Sequence, residues 1–403
     1  MSSTTTAKPE VVILGGGIGG LAAAAFLDRA GLTSTIYEQA KELTEVGAGL
    51  VVAPNAARLL RRLGVLDRFA KRAVTLAVGW EFRRWSDGTV LSAENLDAAC
   101  TRLYGEETYT AHRADLLDAL RSAVPLDAVR LGKRCIDLTL GGPRPTVHFA
   151  DGEVVEADVV IGADGVHSIV RGAVAHPEPP TDSGICAFRA LVPADRAPEF
   201  ARRNAQTLWI GPGHHLVHYP VSAGRLINLV AFAPAGGYSV ESWSATATVD
   251  EFVAEFDGWD PRLVDLIRAA NRPGRWALLD RAPLTRWSAG PATLLGDAAH
   301  AMFPFFAQGA AQAIEDAAVL ARCLADDAEQ PARAVRRYEA LRIPRTSRLQ
   351  QISHARSLVN HLPDGPEQRA RDRSFTDTDP LVSNGWIYAY DAEQVDAPAV
   401  GAR

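Results

Sequence analysis

Val11-Val12-Ile13-Leu14-Gly15-Gly16-Gly17-Ile18-Gly19-Gly20 carries an apolar run straight into a glycine loop. The aliphatic run fits a strand buried on both faces of a parallel sheet. Leu21 to Ala30 follow at helical spacing, Gly31 stops the helix, and Thr35-Ile36-Tyr37-Glu38 reads as a second strand, so the segment is one βαβ unit. In that setting Gly15 permits the tight turn, Gly17 lets backbone approach a pyrophosphate, and Gly20 allows close helix–strand packing. Free N–H groups at the helix start, with the positive end of its dipole, face the phosphates. Glu38, about twenty residues on, is placed to accept hydrogen bonds from a ribose diol and would repel the extra phosphate of NADP. The loop predicts a dinucleotide without separating NAD from FAD.

Bulk properties narrow the class. A chain of 403 residues is long for one domain, and two joined domains are expected. A formal charge of -6, with arginines scattered among Asp and Glu, leaves no basic footprint for nucleic acid or an anionic membrane surface. No apolar run reaches membrane-spanning length. Cys100, Cys135, Cys186 and Cys323 are widely spaced, which argues against a metal site or redox dithiol and fits a reducing cytoplasm. Hydrolase signatures, a GxSxG elbow or HExxH, are absent from the sequence.

Along the chain, helical and strand-like patterns alternate. Pro54-Asn55 opens a helix ending near Gly64, short β-like pieces run from Leu76 to Leu91, and helix returns from Arg113 to Ala123. Strands are expected at Ile185 to Val192, Thr207 to Ile210, His214 to Pro220, Leu226 to Phe232 and 276 to 287, and helices at 309 to 325 and 331 to 362. The expectation is an α/β chain: a Rossmann-like dinucleotide domain (8–75, 104–182 and 285–345), an inserted β-sheet-rich domain (76–103 and 183–284), and a C-terminal helical segment (346–403).

Two further segments point to flavin. Gly162-Ala163-Asp164-Gly165 follows an apolar strand, as does Gly296-Asp297-Ala298-Ala299-His300, where Asp297 is placed to bond a sugar hydroxyl of an extended ligand. The helix beginning at Gln308-Gly309 would aim its N–H groups above the sheet, where they stabilise the negative charge of a reduced flavin.

With Gly15 to Glu38, Gly162 to Arg171 and Gly296 to Asp316 in one chain, the sequence resembles the single-component flavin-dependent aromatic hydroxylases of the p-hydroxybenzoate hydroxylase fold. His112-Arg113-Ala114-Asp115-Leu116, Ala307-Gln308-Gly309-Ala310 and Trp386-Ile387-Tyr388-Ala389-Tyr390-Asp391 resemble the salicylate hydroxylase, 3-hydroxybenzoate 6-hydroxylase and 6-hydroxynicotinate 3-monooxygenase group. The resemblance implies FAD held by Gly15, Gly17, Gly20, Glu38, Gln39, Ala48, Gly49, Arg113, Asp164, Asp297, Gly309 and Ala310, with backbone near Cys135. It implies hydride delivered by transient NADH or NADPH, O2 as co-substrate, and hydroxylation of a small aromatic through a flavin C4a-hydroperoxide, with decarboxylation left open. A homodimer is also left open.

That chemistry requires a water-free chamber and a base for a phenol. Phe303, Pro304, Phe305 and Phe306 suit an apolar wall. By resemblance His214 is the expected base and Tyr219 an orienting hydroxyl, and His218 and Tyr219 must point to opposite faces of their strand. Val51 and Phe305 stand where the hydroxynicotinate enzymes carry histidines, which favours a more apolar substrate over hydroxynicotinate. The alternatives are a flavin epoxidase or hydroxylase of a non-phenolic intermediate, a binding module without turnover, and a plain NAD-dependent dehydrogenase.

Overall fold

The structure is a computed structural model, and it describes residues 8–43, 49–175, 178–238 and 245–395. Its first layer is a six-stranded sheet in the order Ser288–Ala289, Ala292–Leu294, Val159–Gly162, Val11–Leu14, Ser34–Glu38, Val129–Leu131. All neighbours are parallel except the first pair. Ile13 lies between Ile36 and Ile161, and Val11 to Leu14 are all buried, as a strand covered on both faces requires. The helix Ile18–Arg29 packs on this sheet beside the helix Gly309–Asp326.

Glycine is obligatory where the segments meet. Gly15 has φ +107°, and a Cβ there would lie 2.3 Å from the Ala163 carbonyl oxygen, while one at Gly20 would lie 1.9 Å from the Gly15 oxygen. The loop therefore packs directly on the Gly162–Gly165 turn, about 150 residues later in sequence, and any side chain would force the two apart.

The second layer is a seven-stranded sheet in the order Asn271–Asp280, Thr181–Pro193, Leu226–Pro234, His214–Val221, Ala205–Gly211, Val78–Arg84, Val90–Asn95. One face buries Phe188, Leu216, Leu229 and Ala231 against the helices Val249–Ala254 and Pro261–Arg268. The other face presents Ala187, Val230, Phe232 and Trp276 to Phe303 and Phe305. The strand expected at 276–287 runs instead over Asn271–Asp280, because its pairing with the 13-residue strand Thr181–Pro193 begins at Asn271↔Leu191 and ends at Asp280↔Thr181.

The C-terminal helix Pro331–Asn360 lies across both layers, carrying Pro344 in its interior. Its Tyr338 hydroxyl donates to the Leu294 carbonyl of the first layer, and His361, just beyond its end, accepts at its carbonyl from Gly213 N–H of the second. Among the described residues no helix is long and apolar enough to cross a membrane.

Candidate active site

A cavity of about 800 Å³ lies between the open face of the seven-stranded sheet and the segment 297–310, within the range of small-molecule sites. Its walls bring together Gly49, Val51, Arg113, Asp297, Pro304, Phe305, Gly309 and Ala310, all singled out from the sequence. Ala48 lies outside the described residues. Gly15, Gly17, Gly20, Glu38 and Gln39 stand beyond the cavity lining, at the C-terminal edge of the first sheet.

The floor is set by the segment Gly296 to Ala310. Gly296 turns the chain at φ +64°, Asp297 opens a single helical turn, and Pro304–Phe306 form a short 3-10 turn. Ala307 sits at φ +51° and closes that turn before Gly309 starts the next helix. The Asp297 carboxylate comes close to that helix start, since a Cβ on Gly309 would lie 3.9 Å from its Oδ1. A negative ligand portion here would meet free helix N–H groups.

This segment is held by buried charge. The Gly296 N–H donates to Asp316 Oδ2 at 3.0 Å, which also bonds His300 Nε2 at 2.5 Å. Arg342 Nε donates to Asp316 Oδ1 at 2.7 Å and its Nη1 to Glu315 Oε2 at 2.7 Å; Arg345 adds two more bonds to Glu315. Asn55 Nδ2 links Glu315 to Gln308 at the helix start. Burial opposes ionisation at both acids, yet Arg345 and Arg342 hold Glu315, and His300 and Arg342 hold Asp316, below the ordinary carboxylate range.

Opposite this floor stands the strand His214–Val221. Its pleat sends His215, Val217 and Tyr219 into the cavity and His214, Leu216 and His218 to the helix-covered face. This corrects the expectation for His214. Its ring packs edge-on against Phe256 and Trp259 and its Nε2 meets Glu255 at 3.2 Å, so it does not line the cavity. Tyr219 does line it, and burial pushes its phenol pKa up.

His215 is 1% exposed, stacked on Phe232, edge-on to Phe305, with Nδ1 2.6 Å from His361 Nε2. Burial, then His361, Arg356 and His214, push its pKa well below the ordinary histidine range. Burial brings His361 to about 4 and His218 to about 3. In the unfolded chain these rings protonate near pH 6.5, whereas in the fold they stay neutral until far lower. Their stability contribution is therefore complete above about pH 6.5 and is lost as pH falls towards 4. Thermal melts from pH 7.5 to 4.5 should show the melting temperature falling with acidification through that window, less steeply in His218→Asn; a flat profile rules the account out.

Other expectations shift in detail. The Asp164 carboxylate accepts from Ser168 Oγ at 2.6 Å and Ile169 N–H at 2.8 Å, capping the helix Ile169–Ala175 and bracing its own turn. Glu38 accepts from Gly16 N–H at 2.6 Å and Ala40 N–H at 2.7 Å, bracing the glycine loop with the oxygens expected to meet a ribose. Gln39 is exposed, and Cys135 Sγ donates to the Asp137 carbonyl. Gly49 donates its N–H to Asn228 Oδ1, and a Cβ there would lie 2.5 Å from Asn228 and 2.7 Å from Tyr219, so only glycine lets the strand Gly49–Val52 touch the seven-stranded sheet. Trp80, Gln206 and Arg189 also line the cavity and were not anticipated, because nothing local marks a strand residue as facing a cavity rather than a core.

The glycine contacts at the edge of the first sheet, the helix start at Gly309 and the cavity that this helix start lines suit an extended flavin dinucleotide, a class of ligand the comparisons with known proteins bear out. The FAD binding domain family matches residues 8–353. A 3-amino-4-hydroxybenzoate 2-monooxygenase of Streptomyces platensis is 42% identical, covering 98% of this chain and 99% of its own. A 6-hydroxynicotinate 3-monooxygenase of Pseudomonas fluorescens is 37% identical over 86% of this chain and 91% of its own. A solved salicylate hydroxylase in complex with substrate superposes with TM-score 0.81 at 27% identity, covering 98% and 100% of the two chains. The chain belongs to the FAD-binding monooxygenase family. It is an FAD-dependent enzyme that hydroxylates aromatic rings.

Proposed function

We propose that the substrate is a small phenolic aromatic acid of the 3-amino-4-hydroxybenzoate kind, hydroxylated on the ring with NADH or NADPH as electron donor and its carboxylate retained. The observation that carries this reading is His215 and Tyr219 on one wall, facing the Asp297–Ala310 floor across an otherwise largely apolar chamber. FAD, when bound, takes the hydride and activates O2. Val51, Phe303, Phe305 and Trp276 exclude water, His215 receives the phenol proton, and Tyr219 orients the ring. Arg189, whose guanidinium lies 4.9 Å from the Trp276 ring centre, brings a cation into the cavity for the substrate carboxylate. The relatives named above support the substrate class, and Val51 and Phe305 favour it over hydroxynicotinate.

In the same reading the half built on the six-stranded sheet carries FAD, with Gly15, Gly17, Gly20 and Glu38 near its diphosphate and ribose and Gly49, Arg113, Asp297, Gly309 and Ala310 nearer its ring. The seven-stranded half carries the substrate. Four unpaired thiols fit cytoplasmic residence.

The test is a panel of aminohydroxybenzoates, hydroxybenzoates and hydroxypyridine acids, scored by accelerated NAD(P)H oxidation and product mass. Gain of one oxygen on an aminohydroxybenzoate with no loss of CO2 is expected; stimulation by the pyridine acids alone overturns the proposal. Glu38→Ala removes an acceptor from two loop N–H groups and from the ribose, and should weaken FAD roughly tenfold or more, at about 1–3 kcal/mol per lost partner. Fluorescence titration of the apoprotein with FAD measures it.

A further inference from the structure

We infer that His361, carried by the C-terminal segment, is the second member of a proton relay that leads from the cavity through His215 to solvent. The inference rests on the reading of His215 as the base for the substrate phenol. The two rings are 2.6 Å apart, Nδ1 to Nε2, although 146 residues separate them in the chain. His215 Nε2, the remaining nitrogen of that ring, makes no hydrogen bond among the described residues, and the ring lines the cavity. His361 is only partly buried, so it spans the distance from the cavity wall to the outside.

Its placement is built rather than incidental. The His361 carbonyl accepts from Gly213 N–H at 3.0 Å, pinning the segment to the turn that leads into the histidine strand. His361 also sits at the C-cap of the 30-residue helix Pro331–Asn360, where the negative end of the dipole favours a passing cation. Phe232 stacks on His215 and Phe305 meets it edge-on, which fixes the plane of the ring. The charged or titratable groups that reach the pair are Arg356 and His214. With both rings neutral at rest, neither blocks a proton arriving from the cavity.

The step balances without a further reagent. The substrate O–H bond breaks and its proton bonds to His215 Nε2, leaving the electron pair on oxygen as phenolate. The Nδ1 proton of His215 moves to His361 Nε2, and the Nδ1 proton of His361 leaves to water. Both rings end neutral in the other tautomer, and the reverse passage reprotonates the oxygen as product departs. His361 touches no substrate in this scheme; it acts through His215.

The experiment uses FAD-loaded oxidised enzyme without nicotinamide, mixed with 3-amino-4-hydroxybenzoate in weak buffer containing phenol red. Stopped flow follows proton release beside the phenolate absorbance of the ligand. His361→Asn keeps a hydrogen-bonding group against His215, so binding should stay within about twofold while proton release slows roughly tenfold or more, with free imidazole restoring it. Release at the wild-type rate in His361→Asn overturns the relay. Should that variant lose FAD, the wild-type enzyme supplies the answer: release plotted against D2O fraction curves when more than one proton moves, and a straight line overturns the relay. His215→Asn separates the two ideas. Slow release in it with normal release in His361→Asn sinks the relay alone, whereas normal release in it sinks the base assignment and the relay together.

Discussion

His215→Asn is expected to lower the rate of ring hydroxylation about 100-fold or more, the lower end of what a positioned base contributes, with FAD content and substrate affinity little changed. The asparagine amide can still donate towards His361, so the wall keeps its shape, but it cannot take a proton. The loss should fall on kcat rather than KM, because the cavity walls and Tyr219 still hold the ligand while its oxygen keeps its proton and the ring stays unactivated. Uncoupling is the accompanying signature: NAD(P)H consumption continues while oxygen goes to peroxide, because an unactivated ring does not capture it. Rapid-quench product analysis against NAD(P)H consumed measures both. His214→Ala is the matched control. Its ring lies against Phe256 and Trp259 on the far face of the sheet, so product yield should hold, with a stability cost of about 1 kcal/mol. Normal coupling in His215→Asn, or collapse of coupling in His214→Ala, would falsify the assignment.

Arg342→Met is expected to be the most damaging single change to the fold, costing about 3–5 kcal/mol, as removal of one partner from a buried ion pair does. The side chains of Arg342, Glu315 and Asp316 are all 0% exposed, so the two carboxylates would be left buried with less compensation. Asp316 is the acceptor for Gly296 N–H, and Glu315 reaches Gln308 through Asn55, so both ends of the cavity floor loosen together. FAD retention should fall with stability. Melting temperature and flavin content after gel filtration read the two effects. Arg337→Met offers the contrast: it breaks the partly exposed pair with Asp326 and should cost under about 1 kcal/mol, because solvent already screens that pair. Equal melting temperatures for the two variants would refute the role given to the buried network. The network also has a pH sign. Folded pKa values of Glu315 and Asp316 are depressed, so their contribution is complete above the unfolded values near 4 and is lost as pH falls below them, a window more acidic than that of the buried histidines.

What could be read from the residues alone was whatever depends on local backbone chemistry. A strand, a glycine loop and a helix in immediate succession define a nucleotide cradle, because the turn at Gly15 and the approach at Gly20 admit no side chain. Gly296-Asp297 and Gln308-Gly309 were legible for the same reason: chain reversal and helix start are properties of a few consecutive residues. The histidine strand carries no such local mark. His214, His215, Leu216, Val217, His218 and Tyr219 alternate without a polar face, since one side of the sheet is covered by helices and the other by the cavity floor. With both faces buried, the period of two carries no sign to tell them apart, and a slip of one residue exchanges core for cavity. Only pairing fixed it: His215 lies opposite Phe232, whose neighbours already line the cavity. The same limit hid His361, which reaches the site solely because a long helix crosses both layers and ends beside Gly213. Cofactor class was thus written in short segments, whereas the identity of the proton-handling side chains was decided by strand register and helix docking, which depend on contacts between residues far apart in the chain.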